Sequence, residues 1–259
     1  MKVSIFYFAV NDKFPIDIAY RQFKKYLKDD FDFILLNDAA DTQIEHSINT
    51  IASANNIKSV RVPQHIHNSG PQDPSFAYST SLNWALHEYA AQNDFEIIVL
   101  MHSDVFPVCD VSIVDILGEY IIASTTEFRI RDNVGITYLY PAFTIINMKK
   151  LSNPQVLDFG TEPGLDVGGK TYEFIKNFSN QVKFINNHQI EYFIAILEND
   201  PAAEYYKADL TICRSHGLSA GWVAEGFYHY MAGSQWNSSN PIFAAGHKKR
   251  MDLFLNYFY

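Results

Sequence analysis

The stretch Glu96–Val108, EIIVLMHSDVFPV, decides how the chain is read. It opens on the aliphatic run Ile97–Met101 and breaks on His102, Ser103 and Asp104 before Val105, Phe106 and Pro107. A run that is apolar at every position, not at alternate ones, predicts a strand buried on both faces, as in a parallel sheet covered by helices. In such sheets the loops beyond the carboxyl ends of the strands carry the polar groups that meet ligands. The His102-Ser103-Asp104 tip falls at that place.

The sequence on either side repeats the pattern. Val3–Val10 is β-rich and ends on Asn11-Asp12. Ile16, Ala19, Tyr20, Phe23, Tyr26 and Leu27 then mark one helical face. Phe31–Leu36 predicts a second strand ending on Asn37-Asp38, Ile44, Ile48 and Ile51 a second helix, and KSVRVP (58–63) a third strand. After the loop HIHNSGPQDP (65–74), Tyr78, Leu82, Ala85, Leu86 and Tyr89 mark the helix that leads into the opening strand. Strands alternating with helices imply a mostly parallel sheet with helices on both faces.

Beyond Val108 the rhythm changes. The β-like runs 121–128 and 135–148 flank the turn-like RIRDNV (129–134), which predicts a partly antiparallel second half. A short helix over 168–178, a strand at 182–185, an amphipathic segment Glu191–Glu198, a polar aromatic stretch reaching Trp236 and a closing helix over 250–259 follow. No internal repeat or linker divides the chain, so 1–259 reads as one domain.

Composition removes several function classes. Hydrophobic residues make up 47% and charged residues 19%, with 20 Phe and 16 Tyr, which supports a packed core and argues against disorder. A net charge of −9 argues against a general nucleic-acid surface, which needs clustered Lys and Arg. The one basic run, Lys248-Lys249-Arg250, reads as the solvated face of the last helix, with contact to a phosphorylated ligand as the alternative. Cys109 and Cys213 are too few for a disulfide framework or a four-cysteine zinc site, and both are expected reduced. The amino terminus lacks a cleavage-type pattern and a membrane-length span, so a soluble, cytoplasmic protein is expected. Neither a P-loop nor a GxGxxG fingerprint is present, which argues against ATP hydrolysis and dinucleotide redox chemistry.

Asp104 beside His102, at the mouth of a parallel sheet, can hold a divalent cation: carboxylate oxygen suits Mg²⁺ or Mn²⁺, and neutral imidazole suits Mn²⁺ better. The alternative for Asp104 is a turn cap. Asn11-Asp12 and Asn37-Asp38 are polar tips on neighbouring loops that could take the base and ribose of a nucleotide, or act only as turn formers. In PGLDVGGKTY (163–172), glycines let the backbone approach a ligand closely, and Asp166 reads either as an exposed, aimed carboxylate or as a helix cap.

In this setting HSDVFP (102–107) resembles the Asp-x-Asp region of GT-A-type glycosyltransferases, with His102 in place of the first Asp. YLYPAFTIINMKKL (138–151), GLDVGGKTYEFI (164–175) and HYMAGSQW (229–236) are similar, in that order, to segments of bacterial and viral GT-A enzymes related to the large family 2 group. The resemblance covers most of residues 3–236. It implies a Rossmann-like α/β fold, with a nucleotide-sugar-binding half (1–108) and an acceptor-binding half (109–259). It also implies a Mn²⁺ or Mg²⁺ ion at His102 and Asp104, completed by His229, with His216 as the competing histidine. Ser234 and Trp236 would line the same wall. Asn11, Asp12, Asn37, Asp38, His67, Asn83 and Ser103 would contact the donor, in a region that includes His65 and Asn68, and Asp166 would act as base. The activity implied is transfer of a sugar from a nucleotide-sugar donor to a glycan or other hydroxyl acceptor, with inversion as in family 2 relatives. The alternatives are a nucleotidyltransferase, for which Lys13 is the only cation near the first strand end, and a non-catalytic nucleotide- or carbohydrate-binding module.

Overall fold

The computed structural model describes residues 1–10, 14–70, 73–189, 202–224, 226–230 and 240–258. Strands β1 (Val3–Ala9), β2 (Phe31–Asn37), β3 (Lys58–Arg61) and β4 (Ile97–Met101) lie parallel in the spatial order β3-β2-β1-β4. Helices α1 (Phe14–Tyr26), α2 (Thr42–Ala54) and α3 (Pro74–Trp84) make the crossovers that parallel neighbours require. Their starts are set locally. Asp41 accepts hydrogen bonds from the amides of Gln43 and Ile44, and Asp73 caps α3 at the Phe76 amide with Pro74 in the first turn. The helix expected up to Tyr89 runs as α3 and then widens into a π-helical turn over Ala85–Ala90.

Strand β5 (Val105–Pro107) leaves the main sheet directly after β4, and α4 (Ile113–Leu117) follows. Strands β6 (Ile122–Arg131) and β7 (Val134–Asn147) form a hairpin, closed by Asp132 and Asn133 at φ 52 and 63. Asp and Asn tolerate the left-handed backbone such a tight turn needs. β7 pairs antiparallel with β4 and with β6, and β8 (Val182–Phe184) adds parallel to β6. The completed sheet has seven strands in the order β3-β2-β1-β4-β7-β6-β8, mixed and mostly parallel as expected, with β7 reversed.

Alternate residues of β4 explain its uniform greasiness. Ile97, Val99 and Met101 enter a core on one face, with Ile16, Phe23 and Ile48. Ile98 and Leu100 enter a second core on the other face, with Leu82, Leu86 and Phe174 of α3, the π-turn and α5 (Tyr172–Phe178). Both faces of β4 pack into core, so it is apolar at every position.

A second, wholly antiparallel sheet has the order β5-β11-β10-β9, built from β9 (Asn187–Gln189), β10 (Gly221–Val223) and β11 (Phe227–His229). Sequence periodicity missed it because strands this short carry too few residues to show alternation. Helices α6 (Ala202–His216) and α7 (Pro241–Phe258) pack beside it. The closing helix starts well before Arg250, and the basic run is not uniformly solvated: Lys248 pairs with Asp252 at the surface, whereas Arg250 is wholly buried. The amphipathic segment expected over Glu191–Glu198 lies outside the described residues. Among the described residues, no helix is long and apolar enough to cross a membrane.

Candidate functional site

Residues 102–104 form the turn that carries the chain from β4 to β5, and it is pinned from several sides. The His102 amide donates to Ala142 of β7 at 3.1 Å, and the Val105 amide closes the turn on the His102 carbonyl at 3.3 Å. From the middle of β1, the Tyr7 hydroxyl donates to the Ser103 carbonyl at 2.7 Å. The Tyr230 amide donates to the Asp104 carbonyl at 2.8 Å. Held this way, the Asp104 side chain is 7% exposed.

His229 arrives from the opposite end of the sequence because β11 pairs with β5 in a register that sets His229 against Val105, next to Asp104. Its Nε2 lies 3.5 Å from Asp104 Oδ1, and His102 Nδ1 lies 3.8 Å from the same oxygen. One ligand atom from each of the three residues falls within 4.8 Å of the others, a grouping that could hold a metal ion. The competing histidine is elsewhere: the His216 ring meets the Ile212 carbonyl and Ser215 at the end of α6, with Lys249 Nζ 3.4 Å away.

The surroundings favour neutral imidazole. Burial pushes His102 down to about 4 from its ordinary 6.5, and the nearby carboxylates of Asp104 and Asp166 only partly offset this. The Tyr78 ring stands 5.0 Å and the Tyr140 ring 5.5 Å from the His102 ring. Burial also holds both phenols well above their usual range, so they stay protonated. His229 Nδ1 is buried with no hydrogen-bond partner among the described residues, so no hydrogen bond to that nitrogen turns the ring.

Asp166 lies close enough for its charge to act on both His102 and Tyr140. It is not a helix cap: its carboxylate accepts from the Val167 amide at 2.8 Å, and its own amide donates to the Tyr138 hydroxyl at 3.3 Å. The following Gly168 has φ +87, and a Cβ there would come within 2.0 Å of the Leu139 carbonyl oxygen. Only glycine fits this approach of the loop to β7. The loop is tied down further where the Thr171 hydroxyl donates to the Gly168 carbonyl and accepts from the Leu139 amide.

The second polar tip is a closed network. Asp38 follows β2 and accepts from Gln64 at 2.9 Å, from His67 Nε2 at 2.8 Å and from the Ser81 hydroxyl at 2.6 Å. His67 is braced on its other side by Thr80 at 3.0 Å. α3 therefore joins the two candidate regions, with Ser81 at Asp38 and Tyr78 at His102.

Two of the expected donor contacts are engaged within the protein. Asn37 is 1% exposed and its amide is committed to Glu45, Asn49 and Ala39, which shapes the loop from within. Asn83 donates to the Asp158 carboxylate and accepts from the Phe159 amide. His65 and Asn68 are exposed. Asn11, Asp12, Lys13, Ser234 and Trp236 lie outside the described residues. Tyr140, Gln64 and Ser81 carried no sequence signal, since each owes its place to strand register or to helix packing against another loop.

No family model and no curated protein matches this sequence. Solved structures do match its fold. The galactosyltransferase LgtC, solved with donor and acceptor sugar analogues, aligns with a TM-score of 0.51 at 12% identity, over 96% of this chain and 94% of LgtC. The apo bifunctional glycosyltransferase WbbM aligns with a TM-score of 0.47 at 11% identity, over 70% of this chain; the alignment spans 38% of WbbM. The mannosyltransferase PcManGT from Pyrobaculum calidifontis, solved with GDP-Man and Mn²⁺, gives 0.43 at 10% identity over 70% of this chain and 54% of its own. The full-length match to LgtC, with the mixed seven-stranded sheet, shows that the chain has the GT-A fold.

Proposed function

We propose that this protein is a metal-assisted glycosyltransferase that moves a sugar from a nucleoside-diphosphate sugar to a hydroxyl acceptor, with inversion. The observation that carries the reading is the His102–Asp104–His229 cluster, with Asp104 and His229 buried and His102 half-buried, at the carboxyl edge of β4 in a GT-A fold.

The donor set fits a divalent ion. Two imidazole nitrogens and one carboxylate oxygen suit Mn²⁺ better than Mg²⁺, which takes oxygen almost exclusively. Ligands about 2.0–2.2 Å from one ion stand at mutual separations close to the 3.5 and 3.8 Å found around Asp104 Oδ1. With His102 down to about 4, protons do not compete for it near neutrality. Such an ion, when bound, supplies Lewis-acid stabilisation of the departing nucleoside diphosphate.

The remaining work falls to the chain. The Asp38 network with Gln64, His67 and Ser81 holds the loops of residues 1–108 that would meet the nucleotide half of the donor. The protonated Tyr78 and Tyr140 rings pack edge-on against the His102 ring and fix one wall of the cluster. Asp166, in the acceptor half formed by 109–259, takes the proton of the attacking hydroxyl. A general base must come within hydrogen-bond reach of that hydroxyl once the acceptor is bound. The charge of Asp166 acts on His102, which supports its place near the cluster.

Incubation with UDP-, GDP- and dTDP-sugars in the presence of Mn²⁺ tests this, with nucleoside diphosphate release and the anomeric configuration of the product read by NMR. Release that needs Asp104, with an inverted anomer, supports the reading. Binding without release would instead favour a non-catalytic module, and a retained anomer would remove Asp166 as base.

A further inference from the structure

A buried ion pair lies between the two helices that flank the second sheet, close to the strand that carries His229. Arg250 of α7 and Asp209 of α6 are both wholly buried. Arg250 makes five hydrogen bonds. Nε meets Asp209 Oδ1 at 2.8 Å, and Nη2 meets Asp209 Oδ2 at 3.1 Å and Tyr228 Oη at 2.8 Å. Nη1 donates to the Ser219 carbonyl at 3.0 Å and to the Tyr230 carbonyl at 3.1 Å. The guanidinium also lies 3.8 Å from the centre of the Tyr230 ring, and the Tyr228 hydroxyl donates to Asp209.

These contacts converge on the two residues that flank His229. Tyr228 is gripped by its hydroxyl, and Tyr230 by its ring and carbonyl. The Tyr230 amide in turn holds the Asp104 carbonyl at 2.8 Å. Arg250 is therefore one residue removed from His229 and linked to Asp104 through a single backbone unit. The His229 ring has no hydrogen bond at Nδ1 among the described residues, so its direction rests on the strand that carries it.

A buried ion pair is a poor investment in stability alone. Desolvation offsets most of its attraction, and apolar replacements of similar volume are often neutral or better. What a bidentate guanidinium supplies is geometry.

We propose that Asp209 and Arg250 are positioning residues for the cluster: they fix β11 so that His229 and Asp104 stay at ligand separation. This rests on the metal-site reading given above. Neither residue touches metal or substrate.

The test uses the full chain, with Asp209→Leu/Arg250→Met to remove both charges at near-constant volume, and Arg250→Lys to keep the charge but lose the fork. Two quantities are measured: Mn²⁺ affinity by electron paramagnetic resonance, and amide hydrogen exchange of metal-free protein at Tyr230, with the Tyr7 amide of β1 as internal reference. The double variant is expected to fold and to bind Mn²⁺ about 10–100-fold more weakly, the range typical of lost outer-shell support. Its Tyr230 amide should exchange at least about 10-fold faster while the Tyr7 amide does not change. Arg250→Lys should move both quantities in the same direction, because an ammonium cannot hold Asp209 and both carbonyls together. A folded variant with wild-type affinity and wild-type Tyr230 exchange overturns the proposal. If wild-type protein takes up no Mn²⁺, the metal reading fails by itself, and Tyr230 exchange still decides whether the pair positions β11. If the double variant does not fold, Arg250→Lys decides.

Discussion

His229 Nε2 stands 3.5 Å from Asp104 Oδ1, although the two residues come from opposite halves of the chain. The pairing of β11 with β5 makes that contact, and β5 exists only because the chain turns sharply at His102-Ser103-Asp104 and leaves the main sheet. The cluster is thus a product of topology, placed where parallel sheets collect ligands.

Removing the carboxylate should abolish the ion site. Asp104→Asn is expected to weaken Mn²⁺ binding by more than about 100-fold, since losing outer-shell support alone costs about 10–100-fold. His229→Ala should follow the same course, while His216→Ala should bind as the wild type does. Isothermal titration with Mn²⁺ reads all three, and full affinity in Asp104→Asn would remove the site.

The protonation of His102 gives a pH signature in metal-free protein. The ring holds its proton more weakly when folded, at about 4 against 6.5. Between those values the unfolded chain binds more protons, so stability falls as pH drops through this window and is restored above about 6.5. This group should cost roughly 3 kcal/mol by pH 4. Chelator-treated His102→Gln should lose that part of the slope in denaturant titrations between pH 4 and 7. Identical slopes in wild type and variant would contradict the burial assigned to the ring.

Gly168 is a steric test of the Asp166 loop. Its φ of +87 and the 2.0 Å approach of an added Cβ to the Leu139 oxygen leave a side chain nowhere to go. Gly168→Ala should lower stability by about 2 kcal/mol or more through strain and a shifted backbone. It should also reduce turnover, because Asp166 sits two residues before it. An unchanged melting temperature would show that the loop can move off β7 freely.

Asp166→Asn separates a base from a structural acid. Turnover is expected to fall by about 10²–10⁴-fold, the usual contribution of general base catalysis, with donor affinity and melting temperature kept. A fall in stability without a specific fall in kcat would return Asp166 to a structural part.

Much of this was legible in the sequence where a signal is local. The unbroken apolar run Ile97–Met101 announced a doubly buried strand and its polar tip the edge of the candidate site, whereas the glycines after Asp166, read as an approach to a ligand, bring the loop against β7. What escaped depends on long-range register. Nothing near His229 says that it will lie against Val105, because strands of three residues show no periodicity. Arg250 sits in a run of charges that normally faces water, and its burial is decided by Asp209 on another helix. Asn37 and Asn83 have the composition of ligand contacts, yet both are engaged by backbone and side-chain groups of neighbouring segments.

The most direct measurement of the central claim is nucleoside diphosphate release from a panel of UDP-, GDP- and dTDP-sugars with a hydroxyl acceptor, with and without Mn²⁺, for wild type and Asp104→Asn. At least one donor should be turned over by the wild-type protein in a Mn²⁺-dependent way, and by Asp104→Asn at a rate reduced by more than about 100-fold, as loss of several kcal/mol of transition-state charge stabilisation requires. Equal release by wild type and Asp104→Asn, or release indifferent to metal, would contradict the account.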